Sequence, residues 1–178
     1  MNVVVLGIFT NSFSGLQGSI LLMLSHGIVS SALFLLIGVL YDRHHTRLLK
    51  YYAGIGQGMP IYSSLLLFFS LCNFSLPGTS SFVGEFLVFF SIFKQSTFSA
   101  FVAGFGMVLG GVYSIWLVNR INGGYINIYA VSNTFDIERR EFYIFVPLIL
   151  STLLMGIYPE VFMDTMTFSV QNLIDLNS

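Results

Sequence analysis

Glu85 and His26 are the two residues of this 178-residue chain whose type and setting suit the movement of a proton. Glu85 is the only carboxylate inside the long apolar stretches 15–41, 60–93, 98–118 and 142–157, and it lies eight residues after Pro77 in the break Leu76-Pro77-Gly78-Thr79. An acid at the centre of a membrane helix costs about 2.5–3.5 kcal/mol, so it persists there only if it is protonated, paired or wetted. All three escapes serve a proton relay. A structural role stands beside it, in which a protonated Glu85 holds a broken helix by hydrogen bonds. Those stretches contain no Lys or Arg. A charged partner for Glu85 must therefore come from another chain, or Glu85 stays protonated. Histidine is the side chain type best suited to pass a proton either way, and His26 lies at depth in Leu24-Ser25-His26-Gly27. It can equally well serve as a hydrogen-bonding group between helices.

The elements that must position these two residues are membrane helices. Hydrophobic residues make up 55% of the chain and charged residues 8%, with a mean hydropathy of +0.83. So few polar groups cannot cover the surface of a soluble domain of this size. The net charge of −1 and the lack of a basic cluster argue against a nucleic-acid partner. The single cysteine, Cys72, reads as a small core residue rather than a ligand or nucleophile. His44 and His45 lie in a charged loop with no third ligand nearby in sequence, so they read as solvated rather than as proton-entry groups or metal ligands. No phosphate-binding glycine fingerprint, cysteine pair for an iron–sulfur cluster or haem-attachment motif is present. The expectation is therefore a chain with no metal, cofactor or redox centre of its own, in which the 19 Phe and 9 Tyr face lipid.

The chain reads as one all-α membrane domain, 1–178. Residues 1–10 are apolar and uncharged, lack the marks of a signal or transit peptide, and are too short to cross a core that needs about 20 residues. They read as the end of a helix, and Met1 as the start of a fragment. Span A covers 15–41. Residues 42–59 form a basic and then Gly-rich loop that ends at Pro60, a helix start. Residues 60–93 are too long for one straight span, yet cutting them at Pro77 leaves two pieces too short to cross separately. Charge decides between one crossing and two. With one crossing, the loops 42–59 and 119–142 share a face and hold Arg43, Arg47, Lys50, Arg120, Arg139 and Arg140, leaving Lys94 alone on the other. Span B is thus a single discontinuous helix, broken at Pro77-Gly78, with Thr79, Ser80 and Ser81 as caps for its second half. Span C covers 98–118, where Gly104, Gly106, Gly110 and Gly111 allow a neighbouring helix close approach and Tyr113 and Trp116 suit the membrane interface. Span D covers 142–163. The amphipathic tail 164–178 lies along the face opposite the basic loops.

Four motifs carry a family resemblance. They are Gly-Ser-Ile-Leu-Leu-Met-Leu-Ser-His-Gly at 18–27, Leu-Tyr-Asp-Arg-His-His-Thr-Arg at 40–47, Leu-Pro-Gly-Thr-Ser-Ser-Phe-Val-Gly-Glu-Phe at 76–86 and Val-Tyr-Ser-Ile-Trp-Leu-Val-Asn-Arg at 112–120. In that order and spacing they resemble mitochondrial NADH dehydrogenase subunit 4, from about Val3 to the tail. The resemblance implies an antiporter-like, proton-pumping membrane subunit of respiratory complex I in the mitochondrial inner membrane, with the basic loops facing the matrix. It implies that Glu85 is the glutamate on the broken twelfth helix of a fourteen-helix bundle, which ends the hydrophilic axis, and that His26 on the eleventh helix bridges toward it. NADH, FMN, iron–sulfur clusters and ubiquinone would belong to other subunits of the complex. The chain carries about half of such a bundle and lacks the charged residues of the earlier helices. The expected partners are therefore an N-terminal fragment of the same subunit on a separate chain, neighbouring membrane-arm subunits, and lipids such as cardiolipin near Arg43, Arg47 and Lys50. A sodium/proton antiporter subunit of the Mrp type shares the architecture, and a non-pumping structural subunit is the third reading.

Overall fold

The computed structural model describes residues 1–125 and 135–177. Among these residues the chain is helical without strands: α1 (Asn2–Phe9), α2 (Phe13–His44), one 3-10 turn (Leu49–Tyr51), α3 (Ile55–Gly58), α4 (Pro60–Asn73), α5 (Ser80–Gln95), α6 (Thr97–Asn122), α7 (Arg139–Ile157) and α8 (Glu160–Asn177). Three of them, α2, α6 and α7, are long and apolar enough to cross a membrane, and α4 is a shorter apolar helix. The expected broken helix is the pair α4 and α5, interrupted at residues 74–79.

The longest element, α2, organises the rest. Ser12 opens it by accepting a hydrogen bond from Gly15 N at 3.2 Å, and His45, with φ of 50°, closes it in the left-handed region. Its 32 residues extend about 48 Å at ~1.5 Å per residue. The helix thus continues three residues past Tyr41 into the segment expected to be loop, because nothing in Asp42-Arg43-His44 breaks it and cations suit a helix C-terminus.

Gly15, Gly18, Leu22, Ser25, Val29, Ala32, Leu36 and Leu40 are all buried on α2, at steps of three or four residues, the spacing of a continuous helical seam. The partner stripe on α5 is Ser81, Gly84, Val88 and Ser91, also buried, and α2 with α5 is the most extensive helix pair. Gly18 faces Gly84 at the closest approach, where a Cβ on Gly84 would stand 3.0 Å from Leu22 N and 3.1 Å from Gly18 O. With no hydrophobic force to bring helices together inside lipid, such small-residue contacts supply the packing.

Around the other half of α2 lies the main core, which includes Leu36, Leu40, Tyr62, Leu66, Phe69 and Phe145. Cys72 is buried and free. The glycines of α6 behave differently from expectation. Gly111 meets the Phe74 ring, but a Cβ on Gly106 or Gly110 would meet open space, and Gly104 lies only in ordinary contact with Phe89. The end of the chain also divides differently, since α7 stops at Ile157 and α8 starts at Glu160. Pro159 carries no N–H to continue a helix, so the boundary falls there and not at Met163.

The two ends of the bundle differ in charge. Gly54 N bonds Gly123 O at 2.8 Å, and Arg43 pairs with Glu141 at 2.8 Å, so the α2 C-terminus, the α6 C-terminus and the α7 N-terminus share one end. Lys94 lies at the other, beside Thr10, Ser12 and Ser91. There α8 joins α2, as Gln17 Nε2 donates to Met163 O at 3.1 Å.

The Gly18–Gly84 contact yields the first prediction. Gly84→Ala should be mildly destabilising and Gly84→Leu severely so, by at least the ~1–3 kcal/mol of an overpacked core. Melting temperature and membrane abundance measure this; an unchanged Gly84→Leu chain would refute the seam.

Candidate functional site

The break between α4 and α5 is a built turn. At the end of α4, Ser75 N donates to Cys72 O and Leu76 N to Leu71 O, each at 3.1 Å. That pair of bonds is a Schellman motif, which needs a left-handed residue at its turning point, most often Gly. Here the residue is Ser75, with φ of 61°, and a non-glycine residue in that region costs about 1–3 kcal/mol. Gly78 supplies the second left-handed turn at φ 96°. Its carbonyl is packed directly against Gly156 of α7, where a Cβ would collide.

The expected caps do other work. Thr79 holds the N-cap position of α5 but makes no capping bond; its hydroxyl donates to Leu76 O at 2.8 Å instead. Ser80 and Ser81 lie inside α5, their hydroxyls 2.7 and 2.8 Å from Ser25 Oγ of α2. The three hydroxyls satisfy one another in the buried seam, and this is why they do not cap.

Glu85 lies just over one turn beyond Ser81 and borders three cavities. One, of about 170 Å³, is also lined by His26, Asn73 and Ser81. A second, of about 540 Å³, runs between Glu85, Asn73 and the face of α6 that carries Gly106 and Gly110. A third, of about 470 Å³, adjoins the break at Ser75, Leu76 and Pro77. The structure thus brings Glu85 and His26, on separate helices, to one polar-lined space without a direct bond between them. Neither ion pair among the described residues involves Glu85.

Asn73 and Ser75 escaped the sequence reading. The available signal was two polar residues at the end of an apolar helix, within four residues of Pro-Gly, a place where the backbone must turn.

The charged end holds a clasp that spacing alone does not show. Asp136 Oδ2 accepts from Ile61 N at 2.9 Å and Oδ1 from Tyr62 N at 3.1 Å, so it caps α4 from a distant part of the chain. Arg43 Nη2 donates to Asp136 O at 3.0 Å and to Glu141 Oε2 at 2.8 Å. Glu141 also completes a capping box with Glu138 at the start of α7. His45 is exposed, whereas His44 departs from the solvated reading: both its ring nitrogens are buried without a partner, and its ring meets Tyr52 edge-on at 5.7 Å. Part of the loop 119–142 lies outside the described residues.

This arrangement of helices has known counterparts. Residues 1–110 match the family model described as NADH:quinone oxidoreductase/Mrp antiporter, transmembrane. The chain belongs to that family. Among relatives in this NADH:quinone oxidoreductase/Mrp antiporter family, "NADH-ubiquinone oxidoreductase chain 4" of Marchantia polymorpha is 52% identical over 98% of this chain and 35% of its own length. "NADH-quinone oxidoreductase subunit M" of Rhodobacter capsulatus is 42% identical over 98% of this chain and 34% of its own. Among solved structures, respiratory complex I from Thermus thermophilus with bound NADH contains a chain matching 99% of this one and 37% of itself, with a TM-score of 0.88 and 28% identity. The chain therefore spans about a third of the length of these family members.

The clasp carries the second prediction. Arg43→Met leaves Glu141 unpaired at a side-chain exposure of 27%, and should cost about 1–3 kcal/mol, less than a fully buried pair because water still reaches the carboxylate. The double variant Arg43→Met/Glu141→Leu should recover part of the loss in melting temperature. Equal losses in single and double variants would show that the pair is not what holds the clasp.

Proposed function

We propose that this chain is the C-terminal part of the antiporter-like subunit 4 of respiratory complex I, and that Glu85 and His26 are its proton-transfer residues. The observation that carries the reading is a carboxylate and an imidazole on separate helices lining one cavity beside a broken helix, in a chain of this family. His26 hands protons along the polar space, Glu85 accepts and releases them, and the break supplies the room for the carboxyl to exchange with water. The relatives described above bear respiratory dehydrogenase names, which favours this reading over an Mrp-type sodium/proton antiporter.

On this reading the chain is a subunit of NADH:ubiquinone oxidoreductase, embedded in the mitochondrial inner membrane with the basic end toward the matrix. NADH, FMN, iron–sulfur clusters and ubiquinone are held by other subunits. The partners are neighbouring membrane-arm subunits, and the helices that make up the rest of the module supply a charged partner for Glu85. Anionic lipid such as cardiolipin meets Arg47 and Lys50 in preference to Arg43, whose guanidinium is held by Glu141.

Glu85→Gln tests the relay, since it keeps shape and hydrogen bonding but cannot carry the proton. The assembled complex should still oxidise NADH, with its proton-to-electron ratio lowered by one pumping module's share. An unchanged ratio would favour the structural role. A native gel stained for NADH oxidation, with mass spectrometry of every chain in the active band, tests membership. This chain is expected there beside other membrane-arm subunits, and its migration in a small inactive band would overturn the complex I reading.

A further inference from the structure

Ser75 occupies a position that the backbone would give to glycine. It is the left-handed residue of the turn that ends α4, with φ of 61°, yet it carries a side chain whose hydroxyl is buried and closes no hydrogen bond in full geometry. Buried hydroxyls without a partner are uncommon, since each forfeits its bonds to water. Strain and an unsatisfied donor at one residue both weigh against retaining it for packing, and they point to a group that the hydroxyl serves part of the time. That group is at hand. Ser75 lies beside Glu85, close enough to act on its carboxyl as a donor, and both line the cavity of about 470 Å³ at the break.

The three cavities give this placement a direction. Ser75 borders only the break cavity, whereas His26, Asn73 and Ser81 border the cavity of about 170 Å³ on another side of Glu85. A carboxyl that turns toward Ser75 leaves the His26 side, and one that turns toward His26 leaves Ser75 without its acceptor. We infer that Ser75 is a positioning residue for Glu85, whose hydroxyl holds the carboxyl in the orientation turned away from His26 and toward the break. The inference deepens the proton-transfer reading of Glu85 and rests on it for its functional consequence. The inferred hydrogen bond can be tested independently of that reading. In this arrangement Glu85 has two places to be: one shared with the imidazole, where a proton is exchanged, and one at the break, where the exchanged proton is separated from His26.

The discriminating variant is Ser75→Gly, because glycine suits the left-handed turn better than serine does. If Ser75 matters only for the backbone, this variant should equal or exceed the native chain in every respect. Infrared difference spectra of the intact complex, with the Glu85 carboxyl and carboxylate bands assigned by their loss in Glu85→Gln, read the hydrogen bond directly. Ser75→Gly is expected to assemble fully, to shift the Glu85 bands as a lost donor does, and to lower the proton-to-electron ratio. Ser75→Asn keeps a donor and tolerates the left-handed region, so it should stay close to the native spectrum and ratio. Unaltered Glu85 bands in Ser75→Gly would overturn the inference, as would a Ser75→Asn chain no different from Ser75→Gly. Shifted bands with an unaltered ratio, in a complex where Glu85→Gln also pumps normally, would uphold the hydrogen bond while removing the proton-transfer reading.

Discussion

A helix interrupted within a membrane exposes backbone donors and acceptors that lipid cannot satisfy, and the remaining architecture of this chain answers that constraint. The break at residues 74–79 satisfies part of its own backbone: Phe74 N, Ser75 N and Leu76 N reach back into α4, while Thr79 N donates back across the turn to Leu76 O. Thr79 Oγ1 adds a second donor to the same carbonyl. The Gly78 carbonyl packs against α7, which can come so near only because Gly156 lacks a side chain. Ser75 and Thr79 are buried, whereas Phe74, Leu76, Pro77 and Gly78 are exposed on this chain. Helix α7 therefore covers one side of the irregular backbone, and removing it would leave polar groups there facing hydrocarbon, each costing several kcal/mol.

The same break makes Glu85 tolerable. In a continuous, close-packed helix a carboxyl would face either a neighbouring side chain or lipid, and the ~2.5–3.5 kcal/mol cost of an acid at depth would stand uncompensated. Where the helix parts, the chain leaves space on three sides of Glu85, with Asn73, Ser75, Ser81 and His26 among the lining groups. Polar walls and room for water lower the cost without an ion pair. The hydroxyls that a soluble helix would use as caps are spent instead on the seam with α2, where Ser25, Ser80 and Ser81 satisfy one another. Their bonds fix the start of α5 relative to α2, and so fix where Glu85 and His26 stand relative to each other.

The sequence exposed the parts of this design that are forced by composition and failed on the parts set by three-dimensional contact. Glu85 stood out because a lone acid among apolar residues has few tolerable explanations, and the broken helix followed from Pro77-Gly78 and from six basic residues against one. Ser75 was invisible, since a serine before Leu-Pro-Gly gives no sign that its φ will be positive. The clasp was equally hidden: Arg43 is separated from Asp136 and from Glu141 by more than ninety residues along the chain, and local spacing says nothing of such pairs. The glycines of α6 misled for a related reason. Small-residue spacing permits a close helix partner but does not supply one, and among the described residues only Gly111 has one.

Packing is divided unevenly between the two halves of the broken helix, and this bears on how the site can work. The half formed by α4 is locked into the main core through Tyr62, Leu66 and Phe69, against Leu36 and Leu40 of α2 and Phe145 of α7. Its N-terminus is further held by Asp136. The half formed by α5 rests on a small cluster of Val88, Ile92 and Ala100 and on a seam of Gly and Ser, where hydroxyl contacts at Ser12, Ser91 and Thr10 take the place of large side chains. Both halves are thus held, by different means: α4 through large apolar side chains, and α5 through the close backbone approach that Gly18 and Gly84 allow along the most extensive helix pair. The seam fixes the helix that carries Glu85 directly against the helix that carries His26.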